Sequence, residues 1–354
     1  METESTYREA IAAALWEIMI ENPNAVVMGQ GVGDPTAIYG TTRGLIGEFG
    51  AARVIDMPIM EEGMTGIGIG MALNGLYPIQ THIRVDFLIL AMNQIINIAA
   101  KYRYMYGGAF NVPMLIRAVV GRSWGQGPQH SQSLQALFGH IPGLTVLMPS
   151  TAEDAYYSYL FASRGFPSVV LSIEHRLLFD LTFQSGNNDS RRESPFQMRK
   201  VREGKDVTVV AISYMVQEAQ RAADWLQDKF DIGIEIIDPH IVSDIDHSEI
   251  IRSVEKTGRL LVADTGWQAY GVCAEISRGL MQVNPRALTQ PVKNLAMQAS
   301  PCPTTHSLEG AYYPDMSDIV KAVLELTNIT DYSGTTLPTK EDARRFGQLF
   351  RGPF

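Results

Sequence analysis

The sequence predicts an α/β protein made of two doubly wound α/β domains. Three observations carry that expectation. Short apolar runs alternate with helix-like stretches at the spacing of parallel-sheet units. A polar stretch (QSGNNDSRRE, 184–193) interrupts the alternation near mid-chain and reads as an exposed linker. The 354 residues also exceed one ordinary domain at roughly 150 residues each.

The elements follow in order. Residues 5–21 form a helix capped by Ser5 or Thr6, with Ala10, Ala13, Leu15, Ile18 and Met19 as its apolar positions. Residues 24–29 (NAVVMG) and 53–57 (RVIDM) are buried strands, separated by a Gly-rich loop and a short helix at 42–49. The glycines at 63, 66, 68 and 70 suit a helix packed closely on a neighbour. A dinucleotide fingerprint is rejected there, because no strand directly precedes the first glycine and no acid sits suitably downstream. Strands at 77–83, 112–120, 144–148 and 168–173 alternate with helices at 88–104 and 152–163. After the polar stretch, strands at 207–212, 233–237 and 259–263 alternate with helices at 216–230, 246–256 and 271–281. The expected division is therefore a first domain over 1–183, a linker over 184–203, a second domain over 204–327 and a C-terminal arm over 328–354, ordered only if it docks.

Composition narrows the function. The chain is 45% hydrophobic and 19% charged, which excludes global disorder. A net charge of −9 argues against a nucleic-acid partner held by bulk basicity. Cys273 and Cys302 are the only cysteines, too few for a disulfide framework or a thiolate metal site. The start is acidic, unlike a targeting peptide, and apolar runs are broken before about 18 residues, so no membrane span is expected. A cytoplasmic protein is the expectation. A Walker-type phosphate loop is absent.

One set of motifs is specific. Asp56-Met-Pro-Ile-Met-Glu-Glu-Gly63 is joined by Gly75-Leu-Tyr-Pro-Ile79, Asn93-Gln94, Gln129-His-Ser-Gln132, Pro142-Gly143-Leu144 and Lys256-Thr-Gly258. Over residues 5–325 the chain thereby resembles the beta subunit of thiamine-diphosphate-dependent 2-oxo acid dehydrogenases, in the transketolase-like superfamily. The resemblance implies a transketolase-like pyrimidine-binding domain followed by a transketolase C-terminal-like domain. It also implies thiamine diphosphate as cofactor, this chain holding the aminopyrimidine half.

The resemblance assigns roles. Glu61 matches the family's glutamate, whose carboxyl meets a ring nitrogen of the aminopyrimidine and favours the tautomer that activates the cofactor as an electron sink. Glu62 is the decoy beside it, at a position usually apolar in the family. Phe87 lies where the family places an aromatic ring against the pyrimidine, and Ile59 belongs to the same cofactor-binding motif. His130 matches a histidine facing the reacting centre, where it handles a proton or the incoming acceptor. His140 lacks such a match and reads as structural.

The diphosphate half is missing. It needs Gly-Asp-Gly followed some thirty residues later by Asn-Asn or similar around Mg²⁺, and the sequence has no Gly-Asp-Gly. The expectation is an alpha-type partner subunit that holds the diphosphate and Mg²⁺, in an α₂β₂ assembly with composite sites.

Departures bear on the substrate. Gly29-Gln30-Gly31 lacks the family's acidic pair, thought to couple two sites. His82 and Arg84 stand where the family has apolar or neutral residues; facing the pocket, they suit an anionic substrate. Arg84 pairing with Asp86 or solvent is the other reading. Arg122 and Trp124 replace small loop residues, so Arg122 either grips a phosphate or lies at the rim. Ser163-Arg-Gly-Phe-Pro167 is shorter than the family's potassium segment and lacks its acid, so an absent or altered potassium site is expected.

The leading expectation is a subunit that decarboxylates a 2-oxo acid and passes the acyl unit to a lipoyl acyltransferase. The enzyme alternative is a split transketolase-like protein moving a two-carbon unit from a ketose phosphate to an aldehyde or an acyl-carrier protein thiol. A non-catalytic structural subunit is the third reading; retention of Glu61, Phe87 and His130 together argues against it.

Overall fold

The computed structural model describes residues 4–34, 36, 38–121, 125–184 and 193–347. They form two compact units. Most of the first falls in Met1–Val120 and Leu137–Phe196, and the second in Gly121–Ala136 and Gln197–Leu349.

The first unit is built on a parallel sheet. Among the described residues its strand order is Val54–Asp56, Ala25–Gly29, Tyr77–His82, Met114–Val120, Val169–His175, Thr145–Leu147. Strands buried on both faces explain the continuous apolar runs. Helix Tyr7–Glu21 starts at Thr6, whose hydroxyl accepts from the Glu9 amide while Glu9 reaches back to the Thr6 amide. Its buried stripe is Ala10, Ile11, Ala14, Leu15, Ile18 and Met19; Ala13, expected inside, faces out. Arg53 closes the other end, donating to the Met19, Asn22 and Ala25 carbonyls and so tying the helix to two strands.

In helix Glu61–Leu73 the close-packing reading of the glycines holds at Gly68, while Gly70 has open space around it and Gly66 meets only an ordinary contact. A Cβ on Gly68 would sit 3.2 Å from the Met114 methyl and 3.4 Å from Gln80 Oε1. Residues 88–104, expected as one helix, are helical throughout but change type along their length. The chain runs through helix Val85–Leu88, a 3-10 turn Ile89–Ala91, a π-helix Asn93–Ala99 and helix Ala100–Met105. The wider π turn brings Asn93 and Gln94 to one acceptor, Glu62 Oε1, at 3.0 and 3.4 Å.

The core of this unit also holds a charged pair. Arg117 and Glu174, on adjacent strands, meet through contacts of 2.6 and 2.9 Å with both side chains fully buried. Tyr159 donates to Glu174 at 2.5 Å and Arg117 donates to Thr41 at 3.1 Å.

The second unit has its own sheet, ordered Lys293–Met297, Leu260–Trp267, Val207–Ala211, Ile234–Asp238, Arg199–Arg202, the last antiparallel. Arg199–Arg202 lies inside the stretch expected as linker, and residues 185–192 of that stretch lie outside the described residues. Helices Met215–Phe230 and Met316–Leu326 pack on one face through Ala219, Ala223, Leu226, Ile319 and Val323. The described part of the expected arm, residues 328–347, packs on this unit. Ile329, Tyr332 and Leu337 lie on this core, and Lys340 reaches the Tyr313 carbonyl and Asp318. Among the described residues no helix is long and apolar enough to cross a membrane.

Candidate functional site

In the first unit, strands Val54–Asp56 and Tyr77–His82 flank Ala25–Gly29. The chain leaves Ala25–Gly29 to one side and returns on the other, so the carboxyl ends beside it are the edge where open α/β sheets place their ligands. Gly29 allows this edge to close tightly. Its φ of +157° is accompanied by the Thr81 carbonyl oxygen only 2.5 Å from where a Cβ would stand. Asp56 then accepts from the Gly31 amide at 2.7 Å, fixing the turn that follows.

Glu61 begins the helix that leaves Asp56, a position favourable for a carboxylate at the positive end of the helix dipole. Its side chain is 8% exposed. Among the described residues, none donates a hydrogen bond to its carboxylate or forms an ion pair with it. Glu62 is the opposite case, exposed yet held by Asn93 and Gln94. A largely buried carboxyl with no donor among the described residues keeps its lone pairs available to one.

The backbone of Glu61 is tied to the next strand. Thr65 donates its hydroxyl to the Glu61 carbonyl at 2.8 Å, so Thr65 Oγ1 accepts from Gln80 Nε2 at 2.7 Å. The same Gln80 nitrogen lies 2.6 Å from His82 Nε2. An amide nitrogen only donates, so His82 Nε2 accepts and its ring proton sits on Nδ1. Burial holds the His82 pKa down at about 3. His82 is therefore neutral, and the pair expected to suit an anion is reduced to Arg84. Arg84 is buried as the residue before helix Val85–Leu88, and Asp86 beside it is buried too.

Phe87 stands in that short helix, 39% exposed, and Ile59 is 82% exposed in the turn before Glu61. Exposed apolar side chains of this size leave surface for a ring or a protein to cover. His130 belongs to the second unit, in loop Gly121–Ala136, with its amide donating to the Gly127 carbonyl at 3.4 Å. Arg122 and Trp124 lie outside the described residues. His140 is exposed. Among the described residues no three His, Cys, Asp or Glu side chains converge as a metal site.

Sequence reasoning missed another buried carboxyl, Asp264 on strand Leu260–Trp267. Burial raises its pKa to about 6, opposed by the hydrogen bond from Gln135 and by the Gly266 and Thr265 amides. One acid in an apolar strand was its only signal.

Comparison with known proteins bears on this geometry. Residues 3–179 match the model of the transketolase pyrimidine binding domain, and residues 197–319 match the transketolase C-terminal domain. The chain is 39% identical over 322 residues to pyruvate dehydrogenase E1 component subunit beta-1, mitochondrial, of Arabidopsis thaliana, covering 90% of this chain and 88% of that one. It is 34% identical over 327 residues to the mitochondrial beta subunit of Saccharomyces cerevisiae, covering 92% and 89%. The chain belongs to the family of 2-oxo acid dehydrogenase E1 beta subunits. The beta subunit of Rhizobium meliloti, 37% identical over 318 residues, is matched over 90% of this chain and 69% of its own length. A solved split-gene transketolase, titled an inactive beta4 tetramer, shares the fold with a TM-score of 0.71 at 22% identity, over 92% of this chain and 99% of that one. Family membership makes the chain a component of a thiamine-diphosphate-dependent 2-oxo acid dehydrogenase.

Proposed function

We propose that this chain supplies the aminopyrimidine half of the thiamine diphosphate site and that an alpha-type subunit supplies the diphosphate and Mg²⁺ half, in an α₂β₂ assembly. The pair decarboxylates a 2-oxo acid and passes the acyl unit to a lipoyl group on an acyltransferase. The observation that carries this reading is the buried, unengaged carboxyl of Glu61 next to the engaged Glu62.

The residues fit the cofactor's pyrimidine. Glu61 would hold its ring nitrogen, and Phe87 would lie against its face, worth about 0.5–1.5 kcal/mol beyond area. Thr65 and Gln80 keep the Glu61 backbone in place through the 2.8 and 2.7 Å bonds. When bound, thiamine diphosphate supplies an electron sink for the carbon that loses carboxylate. His130 holds or moves a proton on the acyl acceptor. Ile59 lends apolar cover that excludes water.

Calorimetric titration of thiamine diphosphate with Mg²⁺ into this chain alone, and into the chain co-expressed with its alpha-type partner, tests the composite site. Binding in the complex alone supports it. Tight binding by the lone chain overturns the division of labour.

A second reading is favoured by one residue. Arg84 puts a buried cation where the family has a neutral residue, which suits a ketose phosphate donor and a two-carbon transferase reaction to an aldehyde or carrier-protein thiol. Arg84→Ala then raises KM for a phosphorylated or dicarboxylic substrate far more than for pyruvate. Equal effects dismiss it.

A further inference from the structure

We propose that Asp264 and Gln135 form a positioning clamp that sets the loop carrying His130, and that they act on turnover through His130 alone. The inference rests on the catalytic role of His130 in the reading above. Residues Gly121–Ala136 group with the second unit, whereas strand Met114–Val120 before them groups with the first, and Gln135 opens helix Gln135–Gly139. Its anchors are specific. At its far end Gln135 donates to Asp264 Oδ1 at 2.7 Å, and Ser133 donates to Gln135 Oε1 at 2.8 Å. Ser133 Oγ also lies 3.3 Å from Thr265 Oγ1. All four side chains are buried.

At its near end the loop lies against Thr304. A Cβ on Gly125 would stand 2.7 Å from the Thr304 carbonyl oxygen, and one on Gly127 would stand 2.5 Å from Thr304 Oγ1. Both glycines have positive φ, of 62° and 71°. His130 sits between these anchors, its amide bonded back to Gly127. A loop held at both ends leaves its middle few alternative positions. Gly266 shows how closely Gln135 is seated, since a Cβ there would lie 2.6 Å from Gln135 Nε2.

The clamp belongs to the second unit and Glu61 to the first, so it predicts a separation of effects. Gln135→Met removes both polar contacts at similar length. Gly266→Ala displaces Gln135 without changing any polar group. Each is made in the full complex with the alpha-type partner, in the native background and with His130→Ala. Thiamine diphosphate affinity, melting temperature and kcat are measured. A shift of about 1 Å in a catalytic group can cost on the order of 100-fold, so each variant is expected to lower kcat at least ~10-fold with cofactor affinity retained. With His130→Ala, the same substitutions are expected to change kcat less than ~2-fold, the non-additivity of groups acting as one unit. Equal loss in both backgrounds overturns the proposal, as does undiminished kcat in both variants. If His130→Ala alone leaves kcat intact while Glu61→Gln abolishes it, the role of His130 falls and the cofactor reading stands.

Discussion

Glu61 and Glu62 are adjacent in the first turn of one helix, yet their carboxylates have opposite fates. Glu62 is exposed and held by Asn93 and Gln94, while Glu61 is buried and engaged by no described residue. The helix dipole favours both equally. What separates them is the π-helix Asn93–Ala99, which delivers two amides to Glu62 alone.

That difference makes a paired prediction. Glu61→Gln, purified with the alpha-type subunit, keeps assembly intact and lowers turnover by roughly 100-fold or more, the scale of a lost proton-handling group. Glu62→Gln retains an acceptor for both amides and stays within about threefold of the native rate, a loss below ~1 kcal/mol. Steady-state rates of the two complexes decide it, and equal losses remove the special role of Glu61.

The Arg117–Glu174 pair predicts a stability effect far from that edge. Both partners are fully buried and joined by two contacts. Glu174→Ala leaves the guanidinium uncompensated and costs about 3–5 kcal/mol, whereas replacing both partners by apolar residues recovers much of the loss. Chemical denaturation of the single and double variants measures it. A Glu174→Ala protein as stable as the native one contradicts the pairing.

This pair also marks how far the sequence could be read. Strand Met114–Val120 is visible as an apolar run, but Arg117 inside it shows no partner at any local spacing, because Glu174 lies 57 residues away on the neighbouring strand. Glycine spacing marked helix Glu61–Leu73 but could not single out Gly68, the one of its four glycines seated tightly on a neighbouring strand. Strands Arg199–Arg202 and Lys293–Met297 were not legible, since edge strands with polar and charged residues carry no apolar signature. At the site, residue type alone could not rank Glu61 above Glu62. The motif ranks Glu61 first, and the π turn accounts for Glu62 being held by Asn93 and Gln94. Neutral His82 was illegible, because its charge depends on burial beside Gln80.

His82 gives the fold an acid-side weakness. Its pKa is about 3 when folded against an ordinary 6.5, so below pH 6.5 the unfolded chain binds a proton that the native chain refuses. Native stability is therefore lost as pH falls from about 6.5 toward 3, by up to roughly 5 kcal/mol at 1.36 kcal/mol per unit. His82→Asn lacks this titration. Between pH 7.5 and 5 its melting temperature falls less than that of the native protein, and parallel curves rule out a buried neutral imidazole.

Asp264 works in the other direction. Burial raises its pKa to about 6 from an ordinary 3.8, so between these values the native chain binds a proton that the unfolded chain has released. The stabilisation is complete below about pH 3.8 and is lost as pH rises through 6, an amount of about 3 kcal/mol. Asp264→Asn preserves an oxygen for the Gln135 amide and removes the ionisation. Relative to the native protein, that variant gains stability on going from pH 5 to pH 8, the reverse of the trend set by His82. The two effects belong to different units, so denaturation followed by hydrogen exchange resolves them by region. A pH-independent difference between Asp264→Asn and the native protein would show that the carboxyl is ionised throughout this range.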